Sequence, residues 1–193
     1  YVMEHTEHQV TVLDKLTYAG NLASLAEVPG DRMTFVQGDV ADSTLVDDLL
    51  ADGHRAITVL DLSGRALDAA MARLGAMAAA VRWIEGDVTQ VDLPARTYDV
   101  WHDRAVFHFL TDPQDREAYV AQVLRAVKPG GHVIVATFAE DGPLRCSGLP
   151  VVRYRPEALH AEFGAAFELV LHKREDHLTP SGARQAFVYC YCR

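Results

Sequence analysis

The feature that most constrains this chain is a pattern that occurs twice. In each copy, an apolar run ends in an aspartate, and a second apolar run ends in Gly-Asp-Val. The first copy is TVLDK at 11–15 with FVQGDV at 35–40, and the second is TVLDL at 58–62 with WIEGDV at 83–88. Short apolar runs bounded by turn residues predict strands, and a helical pattern separates the two runs of each copy. This alternation predicts an α/β fold with a parallel sheet.

The rest of the chain continues the alternation and then ends differently. The predicted strands are 9–14, 33–39, 56–61, 81–87, 97–103, 132–138, 167–176 and 184–192. The predicted helices are 21–28, 43–53, 64–75, 113–131 and 156–164. Only a short turn-like segment separates the last two strands, which permits a hairpin but no helical crossover. We therefore expect a doubly wound, Rossmann-like, mostly parallel sheet with a terminal antiparallel strand pair.

Composition limits the possible partners. The net charge of −9 argues against a broad surface for nucleic acid or for anionic membranes. No apolar run approaches the length of about 18 residues that a membrane span needs. The three cysteines form no disulfide framework, and the first ten residues do not look like a signal peptide, so we expect a cytoplasmic protein. The chain begins with Tyr1 instead of Met, which leaves open that it is a fragment.

Four sequence blocks follow one another in a characteristic order. They are ITVLDLS at 57–63, WIEGDVTQ at 83–90, YDVWHDRAVFHFL at 98–110 and LRAVKPGGHVIVATF at 124–138. This ordered set resembles the class I S-adenosylmethionine-dependent methyltransferases, and the resemblance extends over about 43–193. It implies transfer of a methyl group from S-adenosylmethionine to a small molecule or to a protein side chain.

The resemblance also implies which residues bind the cofactor. Asp61 would accept hydrogen bonds from the ribose hydroxyls, and Asp87 would lie at the adenine edge. An aspartate after a strand can instead cap the next helix, so each acid has a purely structural alternative. The implied cofactor residues are, in chain order, Ser43, Asp61, Leu62, Asp87, Val88, Asp103 and Arg104.

Methyl transfer makes few demands on catalytic side chains. The sulfonium is already an activated leaving group, so alignment and exclusion of water dominate, and a general base is needed only for a protonated acceptor. His102, Asp103 and His108 are weak candidates for that base, and Arg104 could orient an anionic substrate. His108 is alternatively a packed residue after the fourth strand of the resembled fold. No spacing of histidines and acids supports a metal site.

The first copy of the repeated pattern resembles a different family. The run VTVLDKLTYAGNLASL at 10–25 is similar to NDP-sugar dehydratases of the extended short-chain dehydrogenase family, specifically the dTDP-glucose 4,6-dehydratases. This resemblance covers about 1–42 and implies Asp14 and Lys15 near the ribose of NAD, so NAD is an alternative cofactor. The catalytic Tyr-x-x-x-Lys pair of that family does not occur in the sequence. A working dehydratase is therefore not expected.

The two resemblances meet near 38–43, so we expect a dehydratase-like segment at 1–42 and a methyltransferase-like domain at 43–193. The strand MTFVQ would then replace the first strand of the methyltransferase fold. The glycine-rich turn that the resemblance implies after that strand becomes GDVADST, with Asp39, Val40 and Ala41 at the family's glycine positions. A β-branched residue resists positive φ, so the cofactor site is expected to be impaired. The alternatives are an inactive chimeric or truncated Rossmann-like domain, or a remnant of an NAD-dependent dehydratase.

Overall fold

The structure is a computed structural model, and it describes residues 10–14, 33–37, 45–179 and 184–193. The chain divides into two compact units, Tyr1–Gly86 and Asp87–Arg193. No helix in the described ranges is long and apolar enough to cross a membrane.

The first unit contains two pairs of parallel strands. Its elements are β1 (Val10–Asp14), β2 (Met33–Gln37), α1 (Leu45–Ala51), β3 (Ile57–Asp61), α2 (Gly64–Leu74) and β4 (Val81–Glu85). Strands β1 and β2 pair with each other, as do β3 and β4. Helix α2 begins where the Ser63 hydroxyl accepts a hydrogen bond from the Ala66 N–H, and it ends at Gly75, whose φ of 56° suits glycine. A small core forms around Leu50, Leu74 and Val81.

The sequence analysis expected MTFVQ, which forms β2, to replace the first strand of the methyltransferase fold. The observed pairing of β2 is different. It pairs with β1, and among the described strands it has no other partner. Strands that are close in sequence commonly pair, and the two runs of the dehydratase-like segment follow that rule. The predicted helix at 21–28, the altered turn with Val40 and Ala41, and Ser43 all lie outside the described residues.

The second unit is built on a four-stranded sheet in the order β5-β6-β10-β9. Its elements are β5 (Tyr98–Arg104), α3 (Pro113–Ala126), β6 (Val127–Phe138), β7 (Arg145–Cys146), β8 (Leu149–Pro150), α4 (Pro156–Phe163), β9 (Leu169–Leu178) and β10 (Arg184–Cys192). Strands β5 and β6 are parallel, whereas β10 is antiparallel to both of its neighbours. The expected fold class, with its terminal antiparallel pair, is confirmed.

Two local expectations in the second unit are wrong. The helix predicted over 113–131 ends at Ala126, and strand β6 begins at the next residue. Proline disfavours the α conformation in the residue before it, so Pro129 prevents the helix from continuing through Lys128. The segment after β6, for which the sequence predicted no strand or helix, contains the hairpin β7–β8. Its turn residues Ser147 and Gly148 both have positive φ, as tight two-residue hairpins require.

The main core of the second unit is rich in aromatic side chains. Phe107, Tyr119 and Phe163 pack together, with the Phe107 ring centroid 4.9 Å from that of Tyr119 and 5.5 Å from that of Phe163. Cys190 and Cys192 are free thiols buried in the same core. Their sulfurs lie 3.2 Å apart, since residues two apart on a strand share one face. This core fixes the position of the end of β5.

Candidate functional site

Asp61 lies at the carboxyl end of β3 with its side chain exposed. One carboxylate oxygen, Oδ1, accepts a hydrogen bond from the Ser63 N–H at 2.7 Å. The other oxygen has no partner within the described part of the chain. The next residue, Leu62, is an apolar side chain that is 74% exposed. The first unit therefore presents a free carboxylate oxygen beside an uncovered apolar surface, which suits a ligand with hydroxyl groups and an apolar ring.

Asp87 is the aspartate of the Gly-Asp-Val signature in the second copy, and local hydrogen bonds hold it in a turn. Its Oδ1 accepts from the N–H of Thr89 at 2.8 Å and from the Thr89 hydroxyl at 2.7 Å, and its Oδ2 accepts from the Gln90 amide at 3.0 Å. The hydrogen bonds from Thr89 lower the pKa of Asp87. The neighbouring Val88 packs against the main core of the second unit. Asp87 is thus ionised and rigidly placed, with little unused capacity to accept further bonds.

Asp103 is a buried residue near the end of β5, and its carboxylate is fully occupied by protein donors. Oδ1 accepts from the Val106 N–H at 3.0 Å, while Oδ2 accepts from the Phe107 N–H at 3.1 Å and from the Tyr119 hydroxyl at 2.6 Å. Tyr119 in turn accepts from the Trp101 indole N–H at 2.8 Å. Burial raises the pKa of Asp103 to about 6, and the three hydrogen bonds act in the opposite direction.

These contacts give Asp103 a structural task. Its carboxylate holds the turn that follows β5 and links that turn to helix α3 through Tyr119. Its expected role in the cofactor pocket stays a prediction. Because protein donors already bind both carboxylate oxygens, any contact with a cofactor would come from the backbone at the end of the strand.

Arg104 ends β5, and its side chain extends across the sheet towards β10. The guanidinium carbon lies 4.2 Å from the centroid of the Phe187 ring, and Nε donates to the Tyr189 hydroxyl at 3.3 Å. Within the described ranges, no carboxylate forms an ion pair with this half-buried cation. A positive charge with aromatic contacts and no counter-ion can attract an anion.

The two histidines near the end of β5 have different surroundings. His108 lies in a short 3-10 turn with no solvent exposure, which confirms that it is a packed residue. Burial lowers its pKa to about 4, and the positive charge of Arg104 adds to the effect, so the ring is neutral at pH 7. Desolvation and Arg104 also lower the pKa of His102, but its side chain is exposed, and solvent weakens both effects. Neither histidine is thereby favoured as a general base.

Three of the expected residues come together in the second unit. Asp103, Arg104 and His108 all lie at the carboxyl end of β5 or in the turn after it, where parallel α/β sheets bind ligands. In the described ranges, no group of three or more His, Cys, Asp or Glu side chains is placed to hold a metal ion.

Sequence reasoning missed three side chains that shape this region. Tyr119 reaches Asp103 from helix α3, and Phe187 and Tyr189 reach Arg104 from β10. The available signal was strand alternation, because Phe187 and Tyr189 are two apart and therefore share one face of β10. The pairing of β10 with β6 could not be read from that signal.

Comparisons with known proteins agree with the architecture. Residues 41–131 match a family model described as a methyltransferase domain. A SAM-dependent methyltransferase from Methanosarcina mazei superposes with a TM-score of 0.62 at 11% identity, covering 95% of this chain and 90% of that chain. The 1,6-didemethyltoxoflavin-N1-methyltransferase from Burkholderia thailandensis, solved with 1,6-didemethyltoxoflavin and S-adenosylhomocysteine, gives a TM-score of 0.58 at 21% identity, covering 96% of this chain and 71% of that chain.

These findings confirm the methyltransferase fold and the resemblance to SAM-dependent methyltransferases.

The second resemblance is confirmed by a curated relative. A dTDP-glucose 4,6-dehydratase from Streptomyces niveus is 58% identical over 50 residues, which is 25% of this chain and 15% of that enzyme. Because the chain spans so small a part of this relative, the match establishes a shared segment and not a shared activity.

Proposed function

We propose that the chain binds S-adenosylmethionine and transfers its methyl group to a small molecule or a protein side chain. The observation that carries the proposal is Asp61, an exposed carboxylate at the carboxyl end of β3, one oxygen of which has no partner among the described residues. The match of residues 41–131 to a methyltransferase domain supports the same conclusion. None of these observations identifies the acceptor molecule.

Residues of the two units, each unit considered by itself, suit different parts of this cofactor. The unused oxygen of Asp61 would accept hydrogen bonds from the ribose hydroxyls, and exposed Leu62 would cover the adenine ring. Asp87 and Val88 would line the adenine edge. The backbone at Asp103 and Arg104 would lie beneath the methionine part. Ser43 completes the proposed set, although it lies outside the described residues.

The chemistry that the cofactor supplies is an electrophilic methyl group on a positively charged sulfur. The protein has to align the acceptor with that methyl group and exclude water. His102 and His108 stay weak candidates for a general base. The pKa of His108 is lowered to about 4, which makes its ring a poor proton acceptor near pH 7.

We also propose that the altered turn weakens the binding of the cofactor. Val40 and Ala41 stand where the family has glycines, and Asp39 and Asp42 would bring negative charge towards the cofactor carboxylate. Two like charges about 4 Å apart repel by about 4 kcal/mol at an effective dielectric constant of about 20. That repulsion corresponds to about a thousandfold in affinity.

Calorimetric titration of the full chain with S-adenosylhomocysteine, with NAD as the parallel ligand, tests the proposal. We expect S-adenosylhomocysteine to bind and NAD not to bind. The Asp61→Asn variant should bind at least tenfold more weakly, because a charge-assisted hydrogen bond is worth about 1.5–3 kcal/mol. Asp68→Asn, an acidic residue on the exposed surface of α2, is the matched control and should bind as the wild type does.

A second variant separates an impaired site from an absent one. Replacing both Val40 and Ala41 with glycine should strengthen the binding of S-adenosylhomocysteine. If neither the wild type nor the glycine variant binds it while both are folded by circular dichroism, the methyltransferase proposal is wrong and the inactive domain is the better description. Binding of NAD alone would favour the dehydratase remnant.

A further inference from the structure

A cavity of about 300 Å³ lies in the second unit where helix α3 ends and strand β6 begins. Val127, one of its lining residues, is paired with Tyr98 at the start of β5. Arg104 is at the other end of this seven-residue strand, about 20 Å away at about 3.3 Å per residue. The cavity is therefore separate from the proposed cofactor positions in this unit.

Three basic side chains line this cavity, which is called the basic cavity below. They are Arg96, Lys128 and Arg193, and no acidic side chain of the described ranges lines it with them. The chain has 27 acidic and 18 basic residues, so a group of three cations runs against its overall charge. Cations that line one cavity repel each other, and a bound anion relieves that repulsion.

The backbone around Arg96 is held by the end of helix α3. The N–H groups of Arg96 and Thr97 donate to the carbonyls of Arg125 and Ala126, both at 2.8 Å. Arg96 has a φ of 50°, which is uncommon for a residue other than glycine, and these two bonds keep it there. Among the described residues its side chain has no hydrogen-bond or ion-pair partner. Its guanidinium can therefore donate to a ligand.

Arg193 is also held by its backbone. Its N–H donates to the Glu168 carbonyl at 2.9 Å, and its carbonyl accepts from the Glu168 N–H at 2.8 Å. Its guanidinium lies beside Gly130, since a Cβ atom at that position would be 3.8 Å from Nη2. Within the part of the chain that the structure describes, this guanidinium has no partner either. Two arginines with fixed backbones and unused donors thus line one cavity.

Two carboxylates near the basic cavity determine how much charge is left for a ligand. The Nζ atom of Lys128 donates to both oxygens of Asp99 at 2.7 Å, so this ammonium is already paired. Glu168 adjoins Phe167, which lines the cavity, but is not itself a lining residue. The charge left for a ligand is mainly that of the two arginines, which suits a dianion better than a monoanion. A phosphate monoester carries a charge of about −1.5 to −2 at pH 7.

The basic cavity also has an apolar wall, formed by Leu124, Val127 and Phe167. Leu124 is on helix α3 and is 53% exposed, whereas Val127 and Phe167 are buried. An apolar group of a ligand that covers Leu124 would remove this exposed surface from water, which is favourable. The cavity therefore suits an anion that carries an apolar body.

We propose that the basic cavity binds a small phosphate monoester, with its phosphate held by Arg96 and Arg193 and its apolar body against Leu124. This site is additional to the proposed methyl transfer and does not depend on it. The planar fork of a guanidinium matches two oxygens of a phosphate. Both arginines are exposed, so solvent weakens each contact, and we expect weak binding that NMR titration can measure.

NMR titration of the full chain with phenyl phosphate tests the ligand class and the place of binding. Phenyl sulfate is a monoanion of similar shape, and phenyl phosphate should bind about three- to tenfold more tightly because it carries more negative charge. The N–H resonances of Gly130 and Gly131, which line the cavity, should shift on binding. Those of Arg104 and Phe107, at the other end of β5, should not.

Substitutions of the lining residues test their roles. Arg96→Gln and Arg193→Gln should each weaken the binding of phenyl phosphate about three- to tenfold, and the double variant should lose the preference over phenyl sulfate. Arg65→Gln removes an exposed arginine of α2 that does not line the cavity, and as the matched control it should bind as the wild type does. Leu124→Ser should weaken the binding of phenyl phosphate but not that of inorganic phosphate.

The proposal is overturned if phenyl phosphate does not bind, or if both arginine variants bind it as Arg65→Gln does. It is also overturned if the shifts appear at Arg104 and Phe107 instead of at the two glycines, since the phosphate would then lie at the opposite edge of the sheet. Equal losses of phenyl phosphate and inorganic phosphate binding in Leu124→Ser would contradict the apolar contact. None of these outcomes depends on whether S-adenosylhomocysteine binds, so this proposal and the proposed function fail separately.

Discussion

Asp61 and Asp103 come from the same kind of sequence signal and have opposite surroundings. Each lies at or next to the end of a parallel strand, Asp61 in the first unit and Asp103 in the second. Asp61 is exposed and accepts a single local hydrogen bond, whereas Asp103 is buried and accepts three. An acid after a strand therefore indicates a position at the ligand-binding edge, but its contacts decide whether it binds a ligand or holds the protein together.

The cores of the two units explain this difference. Among the residues whose side chains are described, three buried residues form the core around α1, α2 and β4, whereas fifteen form the main core of the second unit. Asp61 at the end of β3 is exposed to solvent. In the second unit the turn after β5 is packed under α3 and α4, so Asp103 is enclosed. The two cores should therefore respond differently to truncation.

The largest expected effect is the loss of Phe107. Phe107→Ala removes a fully buried ring that contacts Tyr119, Tyr154 and Phe163, and it should lower the free energy of unfolding of the second unit by about 3–5 kcal/mol. Leu74→Ala, in the smaller core, should lower that of the first unit by about 2–3 kcal/mol, since fewer neighbours lose contacts.

The two tryptophans allow this comparison to be measured. Trp83 lies in the first unit and Trp101 in the second, so Trp83→Phe and Trp101→Phe backgrounds each leave one fluorescent reporter. Urea unfolding followed at Trp101 should show the greater shift for Phe107→Ala. An equal or greater shift at Trp83 would contradict the assignment of Phe107 to the second core.

The next effect separates the two aspartates themselves. Asp103→Asn puts an amide nitrogen where a carboxylate oxygen now accepts hydrogen bonds, so a buried donor loses its partner. The free energy of unfolding should fall by about 1.5–3 kcal/mol. Asp61→Asn changes an exposed group and should alter stability by no more than about 0.5 kcal/mol. Urea denaturation of both variants measures the contrast, and similar losses for the two would show that burial does not distinguish them.

Sequence patterns predicted the fold better than they predicted the site. The strands, the order of the elements and the terminal hairpin followed from apolar runs and turn residues, because those patterns act locally. The predicted end of helix α3 at residue 131 was wrong because Pro129 already stops the helix upstream of that position. The pairing of β2 with β1 depends on which of several strands pairs with β2. A single apolar run in the sequence does not determine that choice.

The candidate site was only partly accessible to the same reasoning. The positions of Asp61, Asp103 and Arg104 at strand ends followed from the apolar runs before them. Two contacts in the site join residues far apart in the chain. Tyr119 donates to the carboxylate of Asp103, 16 positions away, and Arg104 lies over Phe187, 83 positions away. Burial and partners of this kind arise only when the sheet and the helices pack.

The smallest expected effect is the contribution of Asp103 to the pH dependence of the free energy of unfolding. Its folded pKa of about 6 is above the ordinary value of 3.8, so between these values the folded chain binds more protons than the unfolded chain. Stability from this group is therefore fully present below about pH 4 and is lost as the pH rises through 6, amounting to about 1 kcal/mol between pH 5 and pH 7.

Urea unfolding at pH 5, 6 and 7 measures the contribution of Asp103. The contribution is the difference in the free energy of unfolding between the wild type and Asp103→Asn. The lowered pKa of His108 acts in the opposite direction, but it is common to both proteins and cancels in the difference. The advantage of the wild type over the variant should shrink as the pH rises. If the advantage over Asp103→Asn stays constant or grows, Asp103 is not a buried carboxylate with a raised pKa, and its contrast with Asp61 fails.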